Sequence, residues 1–557
     1  VADGEVAKSF VVEMNCLRNR KLMTFKNQVI YQIYPKSYLD TTGNGVGDLR
    51  GIISKLDYLA DLGIDMVWLN PIYPSPQRDN GYDISDYVAI DPVFGTMDDF
   101  ETLIHEGKKR GIDIMLDMVL NHVSTEHEWF QKALAGDPYY QDFFFIQDEP
   151  TDWVSKFGGS AWAPFGDTGK YYLHLFDVTQ ADLNWRNENV RQELFDVVNF
   201  WREKGVHGFR FDVINLIGKD ALLKSNPVNE GKPEYTDKPL THDYLQMLNA
   251  ASFGKDEASV TVGEMSSTTI DNCILYSRPD RQELSMTFNF HHLKVDYANG
   301  QKWTKSPFDF AQLKQLFHTW GEKMSQGQGW NALFWNNHDQ PRAINRFIDF
   351  KNFRVKGATM LAASIHLSRG TPYIYMGEEI GMIDPDFETM ADYVDVESIN
   401  AYQALLDAGH TPEEAFDIIQ MKSRDNSRTP MQWDNTANAG FSTGSPWLAT
   451  GNHDEINVEN DQSGEVYQFY KQLIQLRKSD RLISDGTYQA AYQDAEHLYA
   501  FIREFEGRKL LVLTNFSNQV VDFELLTDFS NSEILVNNYS SYTDNQLQPY
   551  QAIAFVI

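Results

Sequence analysis

The sequence predicts an α/β fold: a (β/α)8 barrel of the TIM type, with a loop domain inserted after the third strand and an antiparallel β-domain at the C-terminus. The first observation is a regular alternation of short apolar runs with helical patterns, as required when each parallel strand is joined to the next by a crossover helix. The second is a segment rich in Gly, Pro and aromatic residues, 122–184, which interrupts the alternation. The third is a change after Leu482 to short runs separated by turns, which is typical of antiparallel sheets.

Eight runs have the length and apolar content of barrel strands. In chain order these predicted strands are 29–34, 65–70, 112–117, 208–212, 260–264, 286–290, 333–337 and 373–376. Helical spacing of apolar residues appears between them, at 53–62, 100–110 and 190–201. Strands separated by helices favour one closed parallel barrel over several smaller domains.

These patterns divide the chain into four parts. The predicted parts are an N-terminal extension, 1–24; the barrel, 25–121 and 185–481; the inserted domain, 122–184; and a C-terminal β-sandwich domain, 482–557. The first 22 residues contain scattered charges and no continuous apolar stretch, so they are not predicted to be a signal peptide.

The composition excludes several classes of partner. The net charge of −31 argues against binding to nucleic acids or anionic membranes, both of which need a basic surface. No run approaches the length of a membrane-spanning helix. With only Cys16 and Cys273, the chain has no disulfide framework to predict, which favours a reducing, cytoplasmic location. An anionic substrate would need a local cluster of cations.

Three acidic residues stand at or just beyond the ends of predicted strands: Asp212, Glu264 and Asp339. In parallel barrels, the carboxyl ends of the strands carry the chemistry. Glycoside cleavage needs one carboxyl group to protonate the leaving oxygen and a second to attack the anomeric carbon or activate water. Arg210 would favour an ionised Asp212 and lower its pKa, which suits a nucleophile. Glu264 has no basic residue close to it in sequence, which suits a proton donor.

Four segments resemble the conserved regions of the α-amylase family of glycoside hydrolases. They are 117–122 (DMVLNH), 208–212 (GFRFD), 263–265 (GEM) and 337–339 (NHD), in the family's order. The resemblance runs from about residue 25 to the C-terminus. It implies the same barrel with its two additions, and a retaining double displacement. In that mechanism Asp212 is the nucleophile, Glu264 the acid/base and Asp339 the stabiliser of the transition state.

The same resemblance implies a pocket for a terminal glucose. Its residues would be Asp79, Tyr82, His122, Arg210, His338 and Arg428. Arg424 is the alternative to Arg428, and the sequence does not separate the two. The most similar branch is exo-acting and includes enzymes that cleave isomaltose-like ends and enzymes that cleave trehalose 6-phosphate. The segments 176–185, 263–269 and 288–297 resemble the latter, so the expected substrate is a small sugar phosphate, with isomalto-oligosaccharides as the alternative.

Basic residues follow the sixth predicted strand. They are His291, His292, Lys294 and Lys302. A phosphate carries about −1.5 to −2 charges near neutral pH, so an acidic protein needs such a cluster to hold it. From the residues alone, pairing with Asp296 and other surface acids is the favoured interpretation. The family resemblance favours phosphate binding.

The loop 40–48 resembles a calcium loop of this branch. Its candidate ligands are Asp40, Thr42, Asn44, Val46 and Asp48. Thr42 and Asn44 replace more strongly binding residues of the family pattern, and calcium affinity follows ligand charge. A weak structural calcium site and an empty turn both remain open. No cofactor is expected for catalysis.

A different class of function is a non-catalytic sugar-binding or transporter-associated homologue. Such proteins have a membrane helix and degraded catalytic acids, whereas this sequence predicts no such helix and keeps all three acids.

Overall fold

The centre of the protein is a sheet of eight parallel strands. The computed structural model describes residues 24–557, so the predicted extension lies outside the described residues except for Thr24, as does Cys16. The strands are Ile30–Ile33, Met66–Leu69, Asp113–Met118, Gly208–Phe211, Val260–Glu264, Met286–Phe288, Ala332–Leu333 and Thr371–Tyr375. The predicted barrel is therefore confirmed, and each observed strand overlaps a predicted one.

The sheet closes on itself. The first strand pairs with the eighth, with Ile30 opposite Tyr373. The sixth and seventh are joined by a single parallel bridge from Thr287 to Asn331. Close packing inside the barrel explains Gly208, because a Cβ there would lie 2.5 Å from Cβ of Met115.

The seventh strand is shorter than predicted and ends at Leu333. Beyond it the chain leaves the sheet, because its asparagines bond elsewhere. Asn336 donates to Glu378 Oε2 (2.6 Å), and Asn337 Oδ1 accepts from the Asp339 amide (2.9 Å). This turn carries Asp339 to the mouth of the barrel.

Helices surround the barrel. In chain order they are Leu49–Ser54 and Leu56–Leu62, Met97–Lys109, Glu188–Glu203, Pro239–Ala251, Ile270–Ser277, Phe310–Gln326, Phe350–His366 and Glu465–Ser479. Local sequence fixes where they begin. Thr96 and Asp99 form a capping box at Met97–Lys109, and the Asn187 side chain caps Glu188–Glu203. No helix within residues 24–557 is long and apolar enough to cross a membrane.

The inserted domain follows the third strand. It contains the helices Glu128–Leu134 and Pro138–Gln141 and the strands His122–Ser124, Ile146–Gln147, Trp162–Pro164, Tyr171–Leu173 and Gln180–Asp182. Its first and last strands pair with each other, so the segment leaves and re-enters the barrel at one place. An apolar cluster that includes Trp153 and Trp162 packs it against Leu216 of the loop after the fourth barrel strand.

A second addition, which we call the cap (residues 387–422), follows the eighth strand. It contains the helices Val396–Asp407 and Pro412–Lys422, whose facing residues Leu405 and Ile419 belong to a separate apolar cluster. Shorter helices occur at Ala343–Phe347, Asp425–Arg428, Val458–Asp461 and Arg481–Asp485.

The C-terminal part is antiparallel. Its five-stranded sheet contains Gln489–Ala491, Leu498–Phe505, Arg508–Asn515, Glu533–Asn537 and Ala552–Val556. A two-stranded sheet, Val521–Asp522 with Gln546–Leu547, adds to it. Apolar residues of both sheets, among them Leu511, Leu547 and Phe555, share one buried cluster.

Candidate active site

A pocket of about 810 Å³ opens at the carboxyl ends of the barrel strands. Its walls come from the loops after the strands, from 154–159 of the inserted domain, and from the cap helix Val396–Asp407. The three predicted acids Asp212, Glu264 and Asp339 all line it. The structure thus brings together side chains that are far apart in sequence: Asp212 and Asp339 are separated by 127 positions.

Arg210 is a buried cation beneath the floor of this pocket. Its Nη1 donates to Asp117 Oδ1 (2.7 Å) and to Asp212 Oδ1 (2.6 Å). Its Nη2 donates to Glu264 Oε2. The fourth strand positions Arg210 and Asp212 on the same side, because alternate residues of a strand face the same way. One guanidinium therefore holds the carboxyl groups at the ends of the fourth and fifth strands.

The three acids differ in protonation. Burial raises the pKa of Glu264 to about 8, although Arg210 opposes the shift. Burial also raises the pKa of Asp212 to about 6. Arg210 lowers this pKa, as predicted, but its effect is smaller than that of burial. For Asp339, burial is outweighed by nearby positive charge, which includes Arg424 and Arg428 and holds its pKa well below the usual range. Near neutral pH, a protonated Glu264 therefore faces an ionised Asp212, as acid and nucleophile require.

Two arginines hold Asp339. Arg428 Nη2 lies 2.9 Å from Asp339 Oδ1, and its Nε donates to the His338 carbonyl (2.7 Å). Arg424 Nη1 lies 3.4 Å from the same carboxylate oxygen, and its Nη2 lies 3.2 Å from Asp79 Oδ1. Arg424 lines the pocket, whereas Arg428 is buried behind Asp339. The structure thus places the alternative arginine, Arg424, in the pocket wall.

Of the remaining predicted glucose-pocket residues, three form one connected wall, and neither Arg210 nor His338 lines the pocket. Tyr82 and His122 line the pocket with Asp79, and His122 Nε2 donates to the Tyr82 carbonyl (3.2 Å). Burial lowers the pKa of His122 to about 4, so its ring is neutral. Gln180, which the sequence analysis missed, donates to Asp79 Oδ2 (3.1 Å) and to the Tyr82 carbonyl (3.2 Å). It belongs to a segment used for the family resemblance, but no local pattern marks it.

The basic residues after the sixth strand separate into two groups. Lys294 and Lys302 line the pocket, and Lys302 forms an ion pair with Glu397 of the cap (2.6 Å). His292 does not line it. Its Nε2 donates to the Phe334 carbonyl (2.9 Å) inside the barrel wall.

His291 also lies away from the pocket, with its ring 5.2 Å from that of Trp320. Burial lowers the pKa of His291 to about 4 and that of His292 to about 3. Both rings are therefore neutral and pack against the helix Phe310–Gln326. The prediction that these two histidines face an anionic substrate is corrected accordingly.

Two further lysines line the pocket and were missed: Lys156 and Lys232. Lys156 comes from the inserted domain, and its Nζ donates to Ser266 Oγ (3.1 Å). Lys232 follows three left-handed residues, Asn229, Glu230 and Gly231, of which Gly231 packs against Trp153. Irregular backbone of this kind has no sequence periodicity, which explains why neither lysine could be predicted.

The loop 40–48 satisfies its own acceptors. Asp40 accepts from the amides of Thr42, Gly43 and Gly45, and Asp48 accepts from that of Thr41 (2.7 Å). Asn44 Oδ1 accepts from the Val46 amide (2.8 Å). Calcium takes six to eight oxygen ligands, and the loop supplies two carboxylates that its own amides engage, so the calcium site is not confirmed. Among residues 24–557, no group of three or more His, Cys, Asp or Glu side chains is arranged to hold a metal.

Comparison with known proteins agrees with this geometry. The α-amylase catalytic domain model matches residues 32–486. The chain is 50% identical to trehalose-6-phosphate hydrolase of Bacillus subtilis, over 95% of this chain and 98% of that protein. It is 44% identical to an oligo-1,6-glucosidase of Parageobacillus thermoglucosidasius, over 96% and 99%. The crystal structure of trehalose-6-phosphate hydrolase from Bacillus licheniformis superposes with a TM-score of 0.92 at 49% identity, over 96% and 99%.

Proposed function

This chain belongs to the α-amylase family of glycoside hydrolases, and from that premise we propose that it is a retaining, exo-acting α-glucosidase that hydrolyses α,α-trehalose 6-phosphate to glucose and glucose 6-phosphate. The observation that carries the choice of substrate is the set of lysines in the pocket wall: Lys156, Lys232, Lys294 and Lys302. The experiment that tests it compares phosphorylated and unphosphorylated disaccharides directly.

The proposed reaction uses the three acids in two steps. Asp212 attacks the anomeric carbon of the terminal glucose while Glu264 gives its proton to the bridging oxygen, releasing glucose 6-phosphate. Glu264, now ionised, then takes a proton from water, which attacks the same carbon and frees Asp212 as glucose departs. Asp339 remains ionised throughout and stabilises the positive charge that develops on the sugar ring. The protonation states at neutral pH support these roles.

The lysines support a phosphate on the leaving group. Lys156 and Lys294 have no carboxylate partner among the described residues, whereas Lys232 pairs with Glu230 (2.8 Å) and Lys302 with Glu397 (2.6 Å). Burial and then Lys232 and Lys294 lower the pKa of Lys156 to about 7. Cations that destabilise one another are neutralised by a bound dianion.

The position of Lys156 also supports this orientation. Its ammonium contacts Ser266, two residues beyond the proposed proton donor Glu264. The donor must face the leaving group, so Lys156 lies on the side where glucose 6-phosphate departs. Asp79 and His122 line the same pocket and bond to Gln180 and Tyr82, which supports binding of the unphosphorylated glucose there.

The first test measures glucose release from trehalose 6-phosphate, trehalose and isomaltose in parallel. We expect the phosphorylated disaccharide to have a kcat/KM at least about 100-fold above the others, since two charge-assisted contacts contribute roughly 1.5–3 kcal/mol each. Comparable activity on isomaltose would instead support an oligo-1,6-glucosidase, which is what the relative from Parageobacillus is called. The mechanism would stand, but the substrate proposal would be rejected.

The second test uses Lys294→Ala. We expect KM for trehalose 6-phosphate to rise about tenfold with no change for p-nitrophenyl α-glucoside, because only the former carries a phosphate. Lys305→Ala is the matched control, since Lys305 is an exposed lysine outside the pocket that pairs with Asp417. Equal losses on both substrates would show that Lys294 acts through structure rather than through the phosphate.

A further inference from the structure

A chain of hydrogen bonds lies behind the pocket wall and begins on the first barrel strand. Gln32 Nε2 lies 2.9 Å from Asn70 Oδ1 and 2.9 Å from His338 Nδ1. On the other side of the imidazole, His338 Nε2 lies 2.8 Å from the Tyr82 hydroxyl. Gln32, Asn70 and His338 are buried, so no bulk water shares these contacts.

The Tyr82 hydroxyl has three partners. It lies 2.7 Å from Asn70 Nδ2, 2.9 Å from Asp117 Oδ2 and 2.8 Å from His338 Nε2. A phenol has one proton to donate and two lone pairs to accept with. If Asn70 and His338 each donate to a lone pair of the hydroxyl and Asp117 accepts its proton, then the proton and both lone pairs are each used once.

The opposite arrangement leaves acceptors unpaired. If His338 carried its proton on Nδ1, Gln32 would have to present its oxygen, and Asn70 would have to turn its amide group to donate to that oxygen. The Tyr82 hydroxyl would then face three acceptors, Asn70 Oδ1, Asp117 Oδ2 and His338 Nε2, with a single proton. Trp68 Nε1 also donates to Asp117 Oδ2 (3.2 Å), so one of the other two acceptors would remain unpaired. An unpaired buried acceptor costs about 1–3 kcal/mol.

From this count we propose that Gln32 is a positioning residue, whose amide fixes His338 as the neutral tautomer protonated on Nε2. The tautomer turns an N–H, rather than a lone pair, toward the pocket wall. His338 Nε2 lies 2.8 Å from the Tyr82 hydroxyl and 3.2 Å from Asp339 Oδ2, so one N–H supports both. The reversed tautomer would set a lone pair against the Asp339 carboxylate and displace it.

The charged groups around His338 agree with a neutral ring. Asp339 favours a charged imidazole, but Arg428, Arg210 and Arg424 oppose it and burial has the largest effect, which lowers the pKa of His338 to about 3. A doubly protonated ring would also place an N–H against the Gln32 amide group. The aromatic neighbours are Tyr82, Tyr34 and Trp68, with ring centroids 5.3, 6.1 and 6.2 Å away, and none is charged at neutral pH.

Neutron diffraction from deuterium-exchanged crystals of the unmodified protein tests the tautomer directly. We expect deuterium on Nε2 of His338 and none on Nδ1, with the Gln32 amide nitrogen facing Nδ1. Deuterium on Nδ1 alone, or on both nitrogens, would overturn the proposal. This measurement needs no variant and is independent of the phosphate assignment.

Gln32→Glu tests the function, because it replaces the N–H donor by an acceptor of the same shape. With p-nitrophenyl α-glucoside, we expect kcat/KM per active site to fall about 10- to 100-fold, the loss typical when the hydrogen-bond partner of a metal-binding histidine is removed. We also expect the acid limb of the pH profile to move upward, since a carboxylate beside Nδ1 favours the imidazolium. Active sites are counted by titration with a slowly released fluoroglucoside.

Tyr31→Phe is the matched control. It removes one buried hydrogen bond from the same strand, the bond from Tyr31 to Glu379 Oε1 (2.7 Å), outside the proposed network. We expect a lower melting temperature with an unchanged pH profile. If Gln32→Glu behaves in the same way, the residue is only structural and the proposal fails. If it does not fold, Gln32→Met, which deletes the donor without adding charge, is measured by the same assay.

Discussion

At the scale of single residues, burial and ion pairing act in opposite directions on the predicted catalytic acids. Arg210 contacts both Asp212 and Glu264, yet both have raised pKa values because both are largely buried. Asp339 is paired with two arginines and stays ionised. Sequence identified these three residues from their position at strand ends, but the sign of each shift depends on desolvation, which only the folded structure determines.

These shifts predict a bell-shaped pH dependence. On p-nitrophenyl α-glucoside, which has no phosphate for Lys156 to bind, kcat/KM should fall below about pH 6, where Asp212 becomes protonated, and above about pH 8, where Glu264 loses its proton. Asp212→Asn should abolish nearly all turnover on every glucoside. Glu264→Gln should lose the alkaline limb and retain the first step only for dinitrophenyl glucosides, whose leaving group needs no proton.

The control for these profiles is Asp384→Asn. Burial raises the pKa of Asp384 to about 7, but its Oδ1 accepts from the Arg342 amide (2.8 Å) outside the pocket. Its removal should leave both limbs in place. Persistence of the alkaline limb in Glu264→Gln would show that another group is the proton donor, and activity in Asp212→Asn would argue for a different reaction.

At the scale of elements, one buried ion pair ties the inserted domain to the barrel. Lys219 Nζ lies 2.9 Å from Asp182 Oδ2 and donates to Asn121 Oδ1 (2.9 Å) and to the Leu216 carbonyl (2.7 Å). Asp182 belongs to the last strand of the inserted domain, and Asn121 precedes His122 of the pocket wall. Neither charged side chain is exposed to solvent, so each depends on the other.

We therefore predict that Lys219→Met strongly destabilises the protein. It leaves Asp182 buried without its partner, at a cost of about 3–5 kcal/mol. Thermal denaturation should show a much lower midpoint than for Lys170→Met, which removes an exposed lysine 3.7 Å from Asp148 in the same domain. The double variant Lys219→Met with Asp182→Leu should recover much of the loss. Additive losses in the double variant would contradict the pairing argument.

The regular elements were predictable, whereas much of the pocket wall was not. Apolar runs and helical spacing located the eight strands. The seventh strand was predicted to extend to residue 337, but it ends at Leu333 because Asn336 and Asn337 form hydrogen bonds outside the sheet. Arg424 directly precedes the short helix Asp425–Arg428, and Arg428 ends it. Packing against Asp79 and Asp339 decides which of the two arginines faces the pocket. His291 and His292 were misplaced because neutral imidazoles pack as aromatic rings, which a count of basic residues does not anticipate.

At the scale of the whole molecule, the proposed substrate and the protein repel each other. The net charge of the chain is −31. The four pocket lysines supply positive charge only within the pocket, and two of them form ion pairs with glutamates. A sugar phosphate must therefore approach through a repulsive field before it reaches an attractive site. Exposed charges beyond the Debye length are screened by salt, but partly buried contacts at short range are screened much less.

We predict that kcat/KM for trehalose 6-phosphate rises when ionic strength increases from about 20 to about 200 mM, because the Debye length shrinks from roughly 20 Å to roughly 7 Å and the long-range repulsion fades first. The neutral p-nitrophenyl α-glucoside should show no such rise, which makes it the internal control. Lys294→Ala should steepen the increase, since repulsion then acts with less local attraction to offset it. A fall in kcat/KM for the phosphorylated substrate alone would show that the pocket lysines, and not the net charge, govern its approach.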